Sequence, residues 1–149
     1  MNFRASSTFT PVDLSRLMQR LVPLMVEAVN EGVGIVVDEA RSIAPNDSGD
    51  LVSNIGAGTI ELTGSVVSGS VVSASAHAGF VEFGTGLRGR GTYPYDLPTE
   101  NVPITGSWIY DYKEQQWVGM ESQPYLRPAL DTARPAILQA FASRGFKAG

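Results

Sequence analysis

The sequence predicts an α+β fold in one domain: a long kinked N-terminal helix, a central antiparallel β-sheet, a C-terminal helix and a long Gly/Pro-rich loop. Three observations lead there. Apolar residues recur at helical spacing after residue 13, two valine- and serine-rich runs separated by a glycine turn follow, and a second helical pattern comes late in the chain. A length of 149 residues matches one compact unit. Residues 1–149 are therefore read as one domain, with 1–9 as an arm and 86–106 as an extended loop.

The first helix has its start signal at Thr10, Pro11 and Asp13, since a hydroxyl caps free amides, proline suits the first helical position and an acid suits the positive end of the dipole. Its stripe runs Leu14, Met18, Leu21, Met25, Val29, Val33, Val36, Ala40 and Ile43, a mean step of about 3.6 residues. Pro23 predicts a kink, and Gly32 and Gly34 soften the rod further. At 1.5 Å per residue the helix spans about 50 Å, long against a radius of gyration of about 15 Å. Part of the stripe is expected to lack a partner within the chain.

The turn residues of APNDSGD end that helix. LVSNIGAGTIEL and SVVSGSVVSASA then read as two antiparallel strands turning at Thr63 and Gly64, with Gly69 marking a bulge. From Gly84 to Gly106 the chain is dense in glycine and proline without a period, and loops of that length usually serve function or a partner. SWIYDY and QQWVG predict a short hairpin around Lys113 and Glu114, with Trp108, Tyr110 and Trp117 in cross-strand contact. QPYLRPALDTARPAILQAFASRGF predicts the last helix, with Leu126, Leu130, Ile137, Leu138 and Phe141 as its apolar positions and Pro128 and Pro135 breaking or kinking it.

Composition narrows the chemistry. A net charge of -4 offers no general attraction for nucleic acid or an anionic membrane. With no cysteine and one histidine, neither a thiolate nucleophile nor a Cys-based zinc site is available, and no metal or cofactor is expected. The start MNFRASSTFT lacks a secretory apolar core, and Glu27, Asn30 and Glu31 interrupt the most apolar window, so neither export nor a membrane span is expected.

Gly84, Gly86 and Gly89 fit the pattern G-x-G-x-x-G, but a dinucleotide fingerprint needs a helix directly after the loop, and RGTYPYDLP follows instead. A structural turn is the preferred reading. Glu82, set among Phe80, Val81 and Phe83, is read as a carboxylate that accepts backbone or arginine hydrogen bonds. A small hydrolase using Glu82 and His77 is the remote alternative, and no G-x-S-x-G nucleophile elbow is present to support a serine triad with His77. Arg88 and Arg90, near Tyr93 and Tyr95, could meet phosphates or pair with acids on a neighbouring subunit.

Three segments carry a family resemblance. ARSIAPNDSGDLVSNI has Ala44, Pro45, Gly49, Leu51 and Ile55 in a helix-end pattern, with Ser48 and Asn54 where threonine and serine are usual. AHAGFVEFGTG has Ala78, Val81, Glu82, Phe83, Gly84 and Thr85, with His77 where tyrosine is usual, and QPYLRPAL has Gln123, Pro124, Tyr125, Arg127, Pro128 and Ala129. Together they resemble the small neck, tail-completion or head-to-tail joining proteins of long-tailed bacteriophages, also described as minor tail components. The resemblance implies a ring in the virion neck or at the head-proximal end of the tail, with a hexamer matching a six-fold tail. It implies adjacent neck or connector, tail terminator or tail tube proteins as partners, with DNA passing through the lumen without specific binding. A tail terminator ring is the alternative. Expected contacts between subunits or partners are Leu14, Met18 and Leu21 on the first helix, together with Glu82, Phe83, Arg88, Arg90 and Arg127.

Overall fold

The computed structural model describes residues 11–46, 49–85, 88–89, 92–96, 111–112, 115–116 and 119–146. In order these form α1 (Pro11–Ile43), α2 (Asp50–Ser53), β1 (Ile55–Thr63), β2 (Val66–Ser73), α3 (Ala78–Phe83), β3 (Asp111–Tyr112), β4 (Gln115–Gln116) and α4 (Leu126–Ser143). The fold is α+β: α4 and the β1–β2 hairpin both pack on α1. No described helix is long and apolar enough to cross a membrane.

Helix α1 runs unbroken through Pro23, which is exposed. Its two halves differ in burial. Ala28, Val33, Val36, Val37 and Ala40 are buried, whereas no residue from 16 to 27 is. The N-terminal part of the stripe therefore lacks full cover: Leu17 is 51% exposed, and Met18 and Leu21 are half-buried. The stripe also drifts at its end, where Ala44 is buried and Ile43 is exposed.

The predicted apolar face of α4 needs correcting. Ala129, Ala133 and Ala140 are its buried residues, Leu126, Ile137 and Phe141 are half-buried, and Leu130 and Leu138 are exposed. Small side chains on both helices, with Ala28 and Ala40 fully covered on α1, let the two backbones approach closely. Gly32 belongs to that contact, since a methyl group there would stand 3.3 Å from the Ile137 side chain. Neither Pro128 nor Pro135 ends α4. At the C-terminal end of α4, Arg144 reaches back to α1, with Nη2 2.7 Å from Glu31 and Nε 3.6 Å from Glu27.

β1 and β2 pair antiparallel from Ile55↔Ser73 to Thr63↔Val66, turning through Gly64 at φ 62°. The strand starts later than the sequence suggests, because residues 50–53 form the single turn α2. Arg41 joins helix to hairpin, its Nε and Nη2 donating to the Ile55 carbonyl at 3.1 and 2.7 Å. The bulge lies on β1, between Ala57 and Ile60, rather than at Gly69. Gly69 serves packing instead: a Cβ there would sit 2.6 Å from Val33 Cγ2 and 2.7 Å from Val29 Cγ1. Valine side chains cannot swing aside easily. Gly69→Ala is thus expected to lift the hairpin from α1 and cost about 1–3 kcal/mol, measured as a lower urea midpoint at unchanged m-value. β3 and β4 pair as the predicted short hairpin. Its aromatic contacts through Trp108, Tyr110 and Trp117 lie outside the described residues.

Candidate functional site

An α-helix begins with amides that have no partner inside it. α4 has no capping side chain of its own at Tyr125 and no acid in its first turn. Glu82, 3% exposed near the end of α3, supplies both. Its Oε2 accepts the N–H groups of Tyr125 and Leu126 at 2.7 and 2.9 Å, and its Oε1 accepts that of Arg127 at 3.2 Å. The next residue is Pro128, which has no N–H to satisfy. One carboxylate from a distant segment therefore answers the whole helix start, with its charge at the positive end of the dipole.

The chain on either side of Glu82 continues the grip. The Val81 carbonyl accepts the Gln123 N–H at 2.8 Å, the Thr85 N–H donates to the Met120 carbonyl at 2.9 Å, and the Met120 N–H donates to Thr85 Oγ1 at 2.9 Å. Gly84 makes this run possible with φ 72° and ψ -169°, a region that is essentially glycine-only. A Cβ on Gly84 would lie 2.5 Å from both Gly89 Cα and Met120 O, and one on Gly89 would lie 2.5 Å from the Gly84 carbonyl carbon. Two of the three glycines of the G-x-G-x-x-G pattern thus pack against each other; Gly86 lies outside the described residues.

Aromatic rings cover this junction. Phe83 and Tyr93 meet edge to face at 5.1 Å, Tyr93 and Tyr95 at 5.5 Å, and the Arg127 guanidinium stands 5.5 Å from the Tyr95 ring centre. Thr92 Oγ1 donates to the Arg88 carbonyl at 2.8 Å and accepts the Ser122 N–H at 2.8 Å. Burial, reinforced by the Glu82 charge, pushes the Tyr93 phenol pKa up, and Arg127 opposes the rise. Burial also raises that of Tyr125, against an opposing contribution from the neighbouring Ser73 hydroxyl. Neither Ser73 Oγ nor Tyr125 Oη makes a hydrogen bond of good geometry among the described residues. Both tyrosines stabilise the fold as neutral phenols. Their contribution is complete below the ordinary phenol value of about 10 and declines as pH rises through the higher folded values.

The expected site residues fall into separate places. Glu82, Phe83 and Arg127 come together in this junction, where Arg127 also meets Asp131 at 3.4 Å. Arg88 lies at its edge, 3.6 Å from Glu121, with both side chains more than half exposed. Met18 and Leu21 lie apart on α1; Leu14 is on the same helix with its side chain outside the described residues, as is all of Arg90. His77 is the exposed residue preceding α3, and no hydrogen bond joins it to Glu82 among the described residues. Both Glu82 carboxylate oxygens are engaged by backbone amides of α4. Among the described residues no group of three or more His, Asp or Glu could hold a metal ion.

Sequence reasoning missed α3 and the pairing of Glu82 with α4. The signal was available as a helix start with neither a capping residue nor an acid, in a chain with an acid among apolar neighbours elsewhere. Residues 13–84 match the family model HK97-gp10_like, described as "Bacteriophage HK97-gp10, putative tail-component". Neither a curated protein nor a solved structure matches the chain. The matched range holds α1 from Asp13 on, the hairpin and Glu82, while the Tyr125–Arg127 segment that Glu82 grips lies beyond it. Over residues 13–84, just under half of its length, the chain is thus similar to the HK97-gp10-like proteins, a family described as tail components of bacteriophages.

Proposed function

We propose that the protein forms a ring in the phage neck or at the head-proximal end of the tail, where it joins tail to head and lets DNA pass. The family match supports a structural role in the tail. The observation that carries the finer reading is α1, whose residues 16–27 keep Leu17, Met18 and Leu21 without full cover. A ring closed by rotation uses two different complementary faces on each subunit, so an element longer than its own core has a place in it. Leu14, Met18 and Leu21 would pack on a neighbouring subunit, and Arg88 would exchange Glu121 for an acid on a partner. The net charge of -4 suits a lumen that does not hold the passing duplex.

Imaging of whole particles tests the position, and particles lacking the protein test the role. Intact but unjoined heads and tails are expected. Tails of uncontrolled length would instead assign the terminator role, and normal virions would remove both readings.

A further inference from the structure

An apolar groove of about 500 Å3 runs beside the hairpin. Val29, Val33 and Val36 of α1 contribute to its lining, along with Gly69, Val71 and Ser73 of β2 and residues of α3 and α4. Among the described residues, the backbone of β2 along this groove is an unpaired edge. The Ala74 N–H donates to the Asn54 carbonyl at 3.0 Å, so in the alternation of an antiparallel ladder the next pair, Ile55 and Ser73, points its polar groups outward. Arg41 on the Ile55 carbonyl agrees with that phase. The extra residue of the bulge belongs to β1, so the phase continues along β2 and Val67, Gly69, Val71 and Ser73 all present outward N–H and C=O groups. Among the described residues these outward groups bond to no other element.

The two edges of the hairpin are treated differently. β1 is guarded by Arg41 at its start and by the bulge, which breaks the regular spacing a partner strand needs. β2, VVSGSVVS, has no charge, no proline and no bulge, the usual means of blocking such an edge. An open strand edge beside an apolar groove is the arrangement that accepts an added strand, with main-chain bonds on one side and alternate side chains buried below.

We propose that this groove receives the N-terminal segment of a second copy of the chain. Residues 2–10, NFRASSTFT, place Phe3, Ala5, Ser7 and Phe9 at alternate positions, an apolar and small face for the groove, and Asn2, Arg4, Ser6, Thr8 and Thr10 on the other. Reach argues against the chain's own copy of this segment. Val29 lies about 27 Å along α1 from Pro11, and at about 3.3–3.6 Å per extended residue roughly eight of residues 2–10 would be spent on reaching it. A neighbour in a ring has no such constraint, and the inference rests on the ring reading in that respect.

Hydrogen exchange and sedimentation on the full chain test it, with Phe3→Ser/Phe9→Ser as the comparison. In the assembled wild type the Val67, Gly69, Val71 and Ser73 amides should exchange about tenfold more slowly than in the variant. A peptide of residues 1–10 should restore protection to the variant. Val71→Pro removes an outward N–H and leaves the β1 ladder intact, so it should lose assembly while keeping the fold; if it fails to fold, the exchange comparison decides. An assembled wild type whose four amides exchange as fast as the variant's overturns this inference and leaves the ring. So does protection that persists without Phe3 and Phe9, because another strand then holds the edge. A monomeric wild type whose amides the peptide protects in the variant refutes the ring and keeps the groove, whereas one without that protection overturns both.

Discussion

Glu82→Ala is expected to lower stability by about 3–5 kcal/mol, the range for removing one member of a buried charged hydrogen-bond network. Three backbone amides at the start of α4 lose their acceptor at once, and burial keeps water from replacing it fully. Glu82→Gln should cost less, about 1–2 kcal/mol, since an amide keeps one acceptor oxygen but turns donors toward donors and gives up the charge at the dipole. Chemical denaturation followed by circular dichroism measures both. At about 2–4 °C per kcal/mol for a domain of this size, the alanine variant should melt roughly 6–20 °C lower. A loss under about 1 kcal/mol would contradict the capping role. The same experiment separates structure from catalysis, because groups kept for activity commonly leave stability unchanged or improved when removed.

The second large effect is expected at Gly84. Gly84→Ala introduces a Cβ at positive φ, strain of about 1–3 kcal/mol, and presses it on the backbone of Gly89, Met120 and Ser122. Overpacking against rigid backbone adds about 1–3 kcal/mol, so a total of about 2–6 kcal/mol is expected. Gly89→Ala should act in the same direction through the same contact. Gly34→Ala is the control. Gly34 is exposed inside α1 with nothing within 4 Å of an added Cβ, and alanine there should stabilise by about 0.5–1 kcal/mol. Equal effects at positions 84 and 34 would show that the close approach does not matter.

Local patterns in the sequence revealed the elements that depend on local chemistry. The α1 stripe, the turn at Gly64 and the stop after Ile43 each follow from spacing or turn residues within a few positions. What stayed hidden depends on contacts between distant segments. Leu130 and Leu138 suit a buried stripe by hydropathy, yet α4 turns its alanines inward, because closeness to α1 at Ala28, Gly32 and Ala40 decides the face. Gly69 has the same local signature whether it makes a bulge or admits Val29 and Val33, and only the neighbouring helix separates the two. Within the candidate site, the type of role at Glu82 was legible from an acid among apolar neighbours. Its partner left only a partial signal, a helix start lacking both a cap and an acid, and the fold alone joins position 82 to position 125.

The paired hydrogen bonds between Thr85 and Met120 have a practical consequence. They tie the chain at the two ends of the segment from residue 86 to 119, and Gly89, Thr92 and Tyr93 hold its first part on the junction. Doubling the length of an unstructured graft there would raise closure entropy by only about 0.6 kcal/mol. An epitope tag or reporter spliced between Asp96 and Asp111, past the residues that pack on the junction, should leave α1, α4 and the hairpin in place, so the subunit can carry added contacts without being redesigned.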